Sequence, residues 1–408
     1  MTARAVVVGA SLAGLRAAEG LRRSGYEGEI TVIGAEPHLP YDRPPLSKQV
    51  LTGKADADSI VLDRTAADDV KWMLSTRATS LDIERRRITV EPATPASPSS
   101  AGEEVPYDLL VIATGAEPRV LRAFEPSSGV YYLRTIEDAL QVRDALLKAQ
   151  ELVVIGAGFI GLEVASSAST LGVDVTVLEA LPVPLSRAIG DDMGNAVADF
   201  HRRHGVKVRT GVAVEGVVAE SGCVEGVKLA EGEVVPGQVV VVGVGVSPVT
   251  AWLEGSGLDI DNGVVCDDKL RATAGGRPVP GVVAAGDVAR WFHPAYGTHV
   301  RVEHWTNAVE QGEAAARTLL LAEAAPVFEP VPYFWSDQHG AKIQFVGDAR
   351  PWDDVVVVDG SVEEERFVAA YGRGGKLTAA LGMRRPAKVM ALQRLIGEGA
   401  AFPPPEHG

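Results

Sequence analysis

Two short glycine-rich runs constrain this chain more than any other feature. The first, Gly9-Ala10-Ser11-Leu12-Ala13-Gly14, follows the apolar run Ala5-Val6-Val7-Val8 and leads into helix-forming residues from Leu15 to Arg23. A second strand-like run, Glu29 to Ile33, ends near Glu36. Strand, glycine turn, helix, strand and acid make up the dinucleotide-binding βαβ pattern. In that pattern Gly9 makes the tight turn and Gly14 lets helix and strand pack closely. The helix N-terminus offers N–H groups to a pyrophosphate, and Glu36, 22 residues past Gly14, accepts from a ribose. Ser11 departs from the pattern, so a phosphate contact there has to tolerate one small side chain.

The pattern then repeats without a departure. Glu151 to Ile155 reads as a strand, Gly156-Ala157-Gly158-Phe159-Ile160-Gly161 as a full GxGxxG, Leu162 to Leu171 as a helix, and Val173 to Leu178 as a strand ending at Glu179. Two complete sites imply two dinucleotides. Glu179 lies 18 residues past Gly161 and favours a free ribose 2′-hydroxyl, hence NADH, since a 2′-phosphate calls for arginine. Glu163, placed on the first turn of the second helix, is either a carboxylate facing the helix dipole or a functional group in the nucleotide crevice.

Composition excludes several other classes. The 408 residues suffice for two or three domains with sizeable cores. No apolar run nears the ~20 residues of a membrane helix, and the start lacks a signal-peptide layout, so a cytoplasmic protein is expected. A net charge of −15 argues against general binding to nucleic acid or membrane surfaces. Cys223 and Cys266 stand alone, without the spacing of a disulfide scaffold, zinc site or iron–sulfur site, and no metal is expected.

Between and beyond the turns lie further candidates. Tyr41 to Lys48 reads Tyr-Asp-Arg-Pro-Pro-Leu-Ser-Lys. It is either a rigid turn ending in a helix capped by Ser47, or a binding loop carrying Arg43 and Lys48; the second reading is preferred. Ser80 to Val90 alternates like a strand, and Pro92 to Gly102 is turn material suited to a hairpin tip. Tyr107 to Ala113 is a buried-strand run closing in Ala113-Thr114-Gly115, where small residues let backbone approach a ligand; Thr114 is otherwise a plain turn residue. Val239 to Gly245 is a further buried strand leading to Ser247-Pro248. Val282 to Ala285 leads to Gly286-Asp287, with Asp287 either an N-cap or, as preferred, a ligand to a cofactor hydroxyl. A helix is expected from Asn307 to Leu321, just after Glu303-His304-Trp305.

Taken together, these stretches resemble the flavoprotein ferredoxin reductases of NADH-dependent oxygenase systems, within the pyridine nucleotide–disulfide oxidoreductase superfamily. The likeness rests on Gly9–Gly14, Pro40–Lys48, Ala113–Gly115, Gly156–Glu163, Ala285–Asp287, Glu303–Asn307 and Phe334-Trp335-Ser336-Asp337-Gln338. It implies an α/β fold class: two Rossmann-like three-layer nucleotide-binding domains plus a small α+β C-terminal domain. FAD-binding segments are expected at 1–112 and 244–321, an NADH-binding domain at 113–243 and a C-terminal interface domain at 322–408. The resemblance implies FAD contacts from Arg43, Lys48, Ala78, Arg134, Asp287 and Trp305, and places Lys48 and Glu163 near the flavin–nicotinamide meeting point. It also implies that Glu179 holds the adenosine ribose of NADH.

Disulfide reductases of that superfamily carry paired cysteines in the region that here spans Arg43 to Lys48, and this chain has none there. The resemblance therefore implies hydride transfer from NADH to FAD, then single-electron transfers to a [2Fe–2S] ferredoxin that supplies an oxygenase such as a cytochrome P450. A monomer or weak homodimer is expected. Two alternatives remain: an NADH oxidase or quinone-type flavoenzyme, and an NADH-sensing flavoprotein resembling apoptosis-inducing factor.

The last part of the chain follows an Ala/Glu/Pro linker. Ile343 to Gly347, Val355 to Val358, Phe367 to Tyr371 and Leu377 to Leu381 read as an antiparallel sheet, followed by a helix near Val389 to Ile396 and a frayed Pro403-Pro404-Pro405 tail. Arg366 to Arg394 holds seven basic residues and no acidic one. This run is either neutralised by acids such as Glu363 to Glu365 or, as preferred, docks an acidic partner. The resemblance implies that Trp335 lies on the ferredoxin-docking face; Arg384, Arg385 and Lys388 of the basic run are the further expected docking residues, with Pro386 stiffening their loop.

Overall fold

A computed structural model describes residues 3–94, 102–125 and 127–404. By internal contacts the chain divides into two units, one of 1–42, 60–117 and 247–330, the other of 43–59, 118–246 and 331–408.

The first unit is built on Arg4–Val8. These five residues are nearly all buried, which fits a strand covered on both faces. The strand pairs in parallel with Glu29–Ile33 on one side and Leu109–Ile112 on the other. Lys71–Met73 extends the sheet beyond the former and Arg277–Ala284 beyond the latter, both in parallel. Arg271–Ala274, Val264–Cys266, Ala289–His293 and, at the edge, Thr298–Val300 complete a nine-stranded sheet. Helices Leu12–Arg23 and Trp305–Leu321 pack together through small residues. A Cβ on Gly312 would stand 2.5 Å from the carbonyl oxygen of Ala13, so this crossing admits no larger side chain.

The second unit repeats the theme. Glu151–Ile155 lies between Asp174–Glu179 and Val239–Val242, all parallel, with helix Phe159–Thr170 following the turn. A three-stranded antiparallel sheet, Val214–Glu220, Cys223–Leu229 and Val234–Pro236, forms a separate layer. The C-terminal sheet has the order Tyr333–Gln338, Ala341–Gly347, Lys376–Met383, Arg366–Arg373, Asp354–Ser361, fully antiparallel. Helix Pro386–Gly397 seats Val389 against Gly382, where a Cβ would approach the valine to 2.3 Å. An α/β chain with a small antiparallel C-terminal domain is therefore the observed architecture, as expected.

Several local expectations change. The helix read from Asn307 begins at Trp305, which makes His304 its N-cap. Ser47 caps no helix; it closes the 3₁₀ turn Pro44–Ser47. Pro386 does not stiffen a loop but opens a helix, because its fixed φ and missing N–H suit a first turn. Most of the Pro92–Gly102 tip and the end of the Pro403–Pro405 tail fall outside the described residues.

Candidate functional site

In the first unit the glycine turn is fixed by sterics. Gly9 has φ +124°, and a Cβ there would lie 2.0 Å from the carbonyl oxygen of Ala113; one on Gly14 would lie 1.9 Å from that of Gly9. Strand, turn and helix thus close on one another with no room for any side chain. Ser11 is the helix N-cap but its hydroxyl makes no capping bond, and the first turn carries no acid. With no carboxylate in that turn, its N–H groups suit a pyrophosphate. Leu12 and Ala13 are buried beneath the turn. Glu36 is half-buried and accepts from the Tyr41 hydroxyl at 2.5 Å.

Other expected residues of this unit converge on small, constrained backbone. Gly115 has φ +69°, and the Thr114 hydroxyl donates to the Val249 carbonyl at 2.7 Å. Gly286, at φ +78°, would bring a Cβ within 2.9 Å of Ala13 Cβ, so it too must be glycine. Its N–H donates to Gln311 Oε1 at 2.8 Å, a fully buried amide that no motif singles out. Asp287 sits in the 3₁₀ turn Gly286–Val288, not at a helix N-cap, and its carbonyl accepts from Arg301. Glu303 pairs with the same arginine at 2.6 Å. Burial pushes His304 down to about 4, with Asp287 pulling the other way. Trp305 Nε1 donates to Asp42 at 2.8 Å. Ala78 is a core position of the strand Thr76–Asp82.

The second unit holds the other turn. Gly156 has φ +97° and its Cβ would meet the Gly243 carbonyl at 2.4 Å; Gly161's would meet that of Gly156 at 2.3 Å. Gly158 differs, since a Cβ there meets nothing nearer than 4.0 Å. The middle glycine therefore leaves open space before the helix N-terminus, as a close phosphate contact requires. Ile160 is 48 % exposed on the first turn, and Phe159 packs edge-on against Phe334 at 4.6 Å. Glu179 accepts from Ala157 N and from Leu181 N, both at 2.8 Å, so the acid is fastened to the turn it serves. Gly245 takes φ +94° beyond the strand Val239–Val242.

Glu163 is not on the first helical turn and faces no solvent. The helix starts at Phe159, which puts Glu163 one turn in and 5 % exposed. One carboxylate oxygen accepts from Lys48 Nζ at 2.7 Å and from the Ser47 hydroxyl at 2.5 Å; the other accepts from the Ser336 hydroxyl at 2.6 Å. A buried carboxylate needs such partners, because an unpaired one costs several kcal/mol. Sequence reasoning singles out neither Ser47 nor Ser336 as a binding group. The available signal is the strand period: Phe334, Ser336 and Gln338 share one face of Tyr333–Gln338. Arg43 donates to the Arg134 carbonyl at 2.5 Å, and Arg134 N in turn donates to Asp138, the residue of a capping box with Thr135.

The expected docking residues are paired with acids. Arg385 and Lys388 both meet Asp359, at 2.6 and 2.5 Å, and Arg384 approaches Glu365 at 3.8 Å. Their side chains remain 25–48 % exposed. Trp335 lies on the opposite strand face from Ser336, stacked with Tyr333 and under the Lys342 ammonium at 5.5 Å. Cys266 is fully buried with its thiol pushed up by burial, and Cys223 is exposed. Among the described residues no cluster of His, Cys, Asp or Glu could hold a metal.

Residues 3–312 match the family model of pyridine nucleotide-disulphide oxidoreductases, and residues 333–407 match the reductase C-terminal model. The chain belongs to the pyridine nucleotide-disulphide oxidoreductase family. Within it the chain is 36 % identical to rhodocoxin reductase of Rhodococcus erythropolis, over 96 % of this chain and 88 % of that one. It is 34 % identical to putidaredoxin reductase of Pseudomonas putida, over 96 % and 91 %. A solved structure of the covalent putidaredoxin reductase–putidaredoxin complex aligns with a TM-score of 0.89 at 32 % identity, covering 97 % of this chain and 93 % of that one.

Proposed function

We propose that this chain is an NADH:ferredoxin oxidoreductase, a flavoprotein that passes electrons from NADH through FAD to a [2Fe–2S] ferredoxin serving an oxygenase. The observation that carries this reading is the end-to-end likeness to rhodocoxin and putidaredoxin reductases, C-terminal domain included. The geometry supports it with two glycine turns built for dinucleotides and no cysteine pair between Arg43 and Lys48.

Gly9, Gly14, Gly286 and the backbone around Ala113–Gly115 would hold FAD, with Asp287 and Trp305 beside them. Gly156, Gly158, Gly161 and Glu179 would hold NADH. FAD, when bound, supplies the conversion of a two-electron donor into one-electron steps. The protein's part is to bind, orient and supply charge. Glu179, fastened by two N–H bonds, presents a rigid negative charge that accepts a ribose hydroxyl and repels a 2′-phosphate. Lys48 and Glu163 provide a fixed, buried ion pair at the reacting end. Cys223 and Cys266 take no part.

Trp335, Arg384, Arg385 and Lys388 form the proposed ferredoxin-docking face. Because these arginines and the lysine already pair with acids, the pull on an acidic partner is weaker than the bare sequence implies, and salt should weaken it further. A cytoplasmic setting fits a chain in which no described helix is long and apolar enough to cross a membrane.

The test is direct. Purified protein should be yellow, with one FAD per chain, bleach under anaerobic NADH, and then reduce a [2Fe–2S] ferredoxin in stopped flow. A correctly folded chain that neither retains nor can be reconstituted with FAD rules the reading out. Rapid NADH oxidation in air with no transfer to any ferredoxin would replace it by an oxidase.

A further inference from the structure

Behind Glu163 runs a line of buried polar groups that the proposed function does not use. Ser336 donates to Glu163, and Gln338 Nε2 donates to the Ser336 oxygen at 2.9 Å. Gln338 Oε1 lies 2.8 Å from His201 Nε2, and His201 Nδ1 lies 3.1 Å from His339 Nε2. Ser336 and His201 are fully buried and Gln338 is 1 % exposed. The line ends at His339, which stacks on His204 at 4.5 Å and 17°, both half-buried. Phe200 packs edge-on against all three imidazoles.

The direction of every bond follows from Glu163. A carboxylate only accepts, so Ser336 must spend its single hydrogen there. Its oxygen then accepts from the Gln338 amide nitrogen, which turns the amide oxygen toward His201. His201 Nε2 must therefore carry a hydrogen. The ring is neutral, since burial pushes it down to about 4, so Nδ1 is left as an acceptor for His339 Nε2–H. All four donors point the same way, from the surface toward one carboxylate.

We infer that Ser336, Gln338 and His201 are positioning residues for the Glu163–Lys48 pair: an oriented donor line that fixes one Glu163 oxygen and leaves the other for Lys48 and Ser47. The three groups come from two distant segments, helix Ser186–Arg203 and strand Tyr333–Gln338, and they act on the ion pair only through Glu163. The catalytic arm of this inference rests on the proposed function; the ring assignment does not.

The assignment makes an unusual demand on one substitution. In Glu163→Gln, the new carbonyl belongs beside Lys48 and Ser47, which are donors, so the new NH₂ must face Ser336. Ser336 then accepts from residue 163 and donates to Gln338, the Gln338 amide turns over, and its NH₂ meets His201 Nε2. His201 is forced into the Nδ1–H form, three hydrogen bonds from the change. Nitrogen-15 NMR of the full chain with labelled histidine reads both states. His201 should be Nε2–H in the native protein at pH 7 and Nδ1–H in Glu163→Gln. An Nδ1–H ring in the native protein, or no switch in a folded Glu163→Gln, overturns the oriented line.

For the catalytic arm, Ser336→Ala in the FAD-loaded protein should slow flavin reduction by saturating NADH about 10-fold, the loss of one bond to a buried charge, with KM for NADH unchanged. A rate equal to the native one overturns the positioning role. Native protein that binds FAD and is not reduced by NADH overturns the proposed function together with this arm, while the NMR result still decides the line itself.

Discussion

The two glycine turns solve one problem with different parts. Both use a first glycine at positive φ pressed on a neighbouring carbonyl and a last glycine pressed on the first. They differ in the middle. Ser11 stands where the second turn has Gly158, whose missing side chain leaves open space. They differ also in how the acid is held: Glu36 is met by a side chain, the Tyr41 hydroxyl, whereas Glu179 is bound by N–H groups of its own turn and of Leu181. Outer glycines are therefore demands of the fold, while the middle residue and the acid's anchor are free to follow the ligand.

The largest effects should come from breaking what the turns share. Gly9→Ala and Gly156→Ala each combine a disfavoured φ with backbone overlap, and each should cost about 3 kcal/mol or more of stability, read as a fall in denaturation midpoint. Gly158→Ser copies the first turn into the second. It should leave stability within about 1 kcal/mol yet weaken NADH binding clearly, measured by titration. Equal loss of stability at positions 156 and 158 would erase the distinction.

Next comes the acid. NADH should be preferred over NADPH by about 10–100-fold, or roughly 1–3 kcal/mol, and Glu179→Arg should narrow that gap. Equal kcat/KM for both donors in the native protein would show that the fastened carboxylate does not select.

Acid stability offers a finer comparison between the units. His304 in the first and His201 in the second are both pushed down to about 4 by burial. Each unfolded histidine takes a proton below its ordinary value near 6.5, while the folded one resists until about 4. Stability contributed by the neutral rings is thus complete above pH 6.5 and declines as pH falls toward 4, by about 1.4 kcal/mol per pH unit for each ring. Urea unfolding followed between pH 7 and 4 should show this slope, and His201→Gln should reduce it. The smallest expected effect is none: a Cys223→Ser, Cys266→Ser double variant should keep its rate of flavin reduction by NADH. Loss of that rate at unchanged flavin content would reopen thiol chemistry.

Much of the fold was legible because each βαβ unit is local. The decisive signals at Gly9–Gly14 and Gly156–Gly161 lie within a few residues of the strands and helices they join. The antiparallel C-terminal strands were visible for the same reason, each being a short apolar run between turns. What stayed hidden was set by distant partners. Ser47 reads locally as a cap, and only the fold brings it to Glu163. Arg385 and Lys388 look unopposed in their basic run, because Asp359 joins them from the strand Asp354–Ser361, earlier in the chain than the helix they open. Gln311 carries no motif at all, yet it is the acceptor for Gly286 N–H.

The Glu163 carboxylate also sets an order of assembly. Its partners Ser47 and Ser336 lie 116 and 173 residues away along the chain. During synthesis the helix Phe159–Thr170 emerges long before the strand Tyr333–Gln338, so for that interval the carboxylate can keep water on one oxygen. Burial of the charge has to wait for the late strand, and contacts of such long sequence separation form slowly. Pairing of that strand thus acts as a latch: until it closes, the helix that carries Glu163 can form but its carboxylate keeps one oxygen in water.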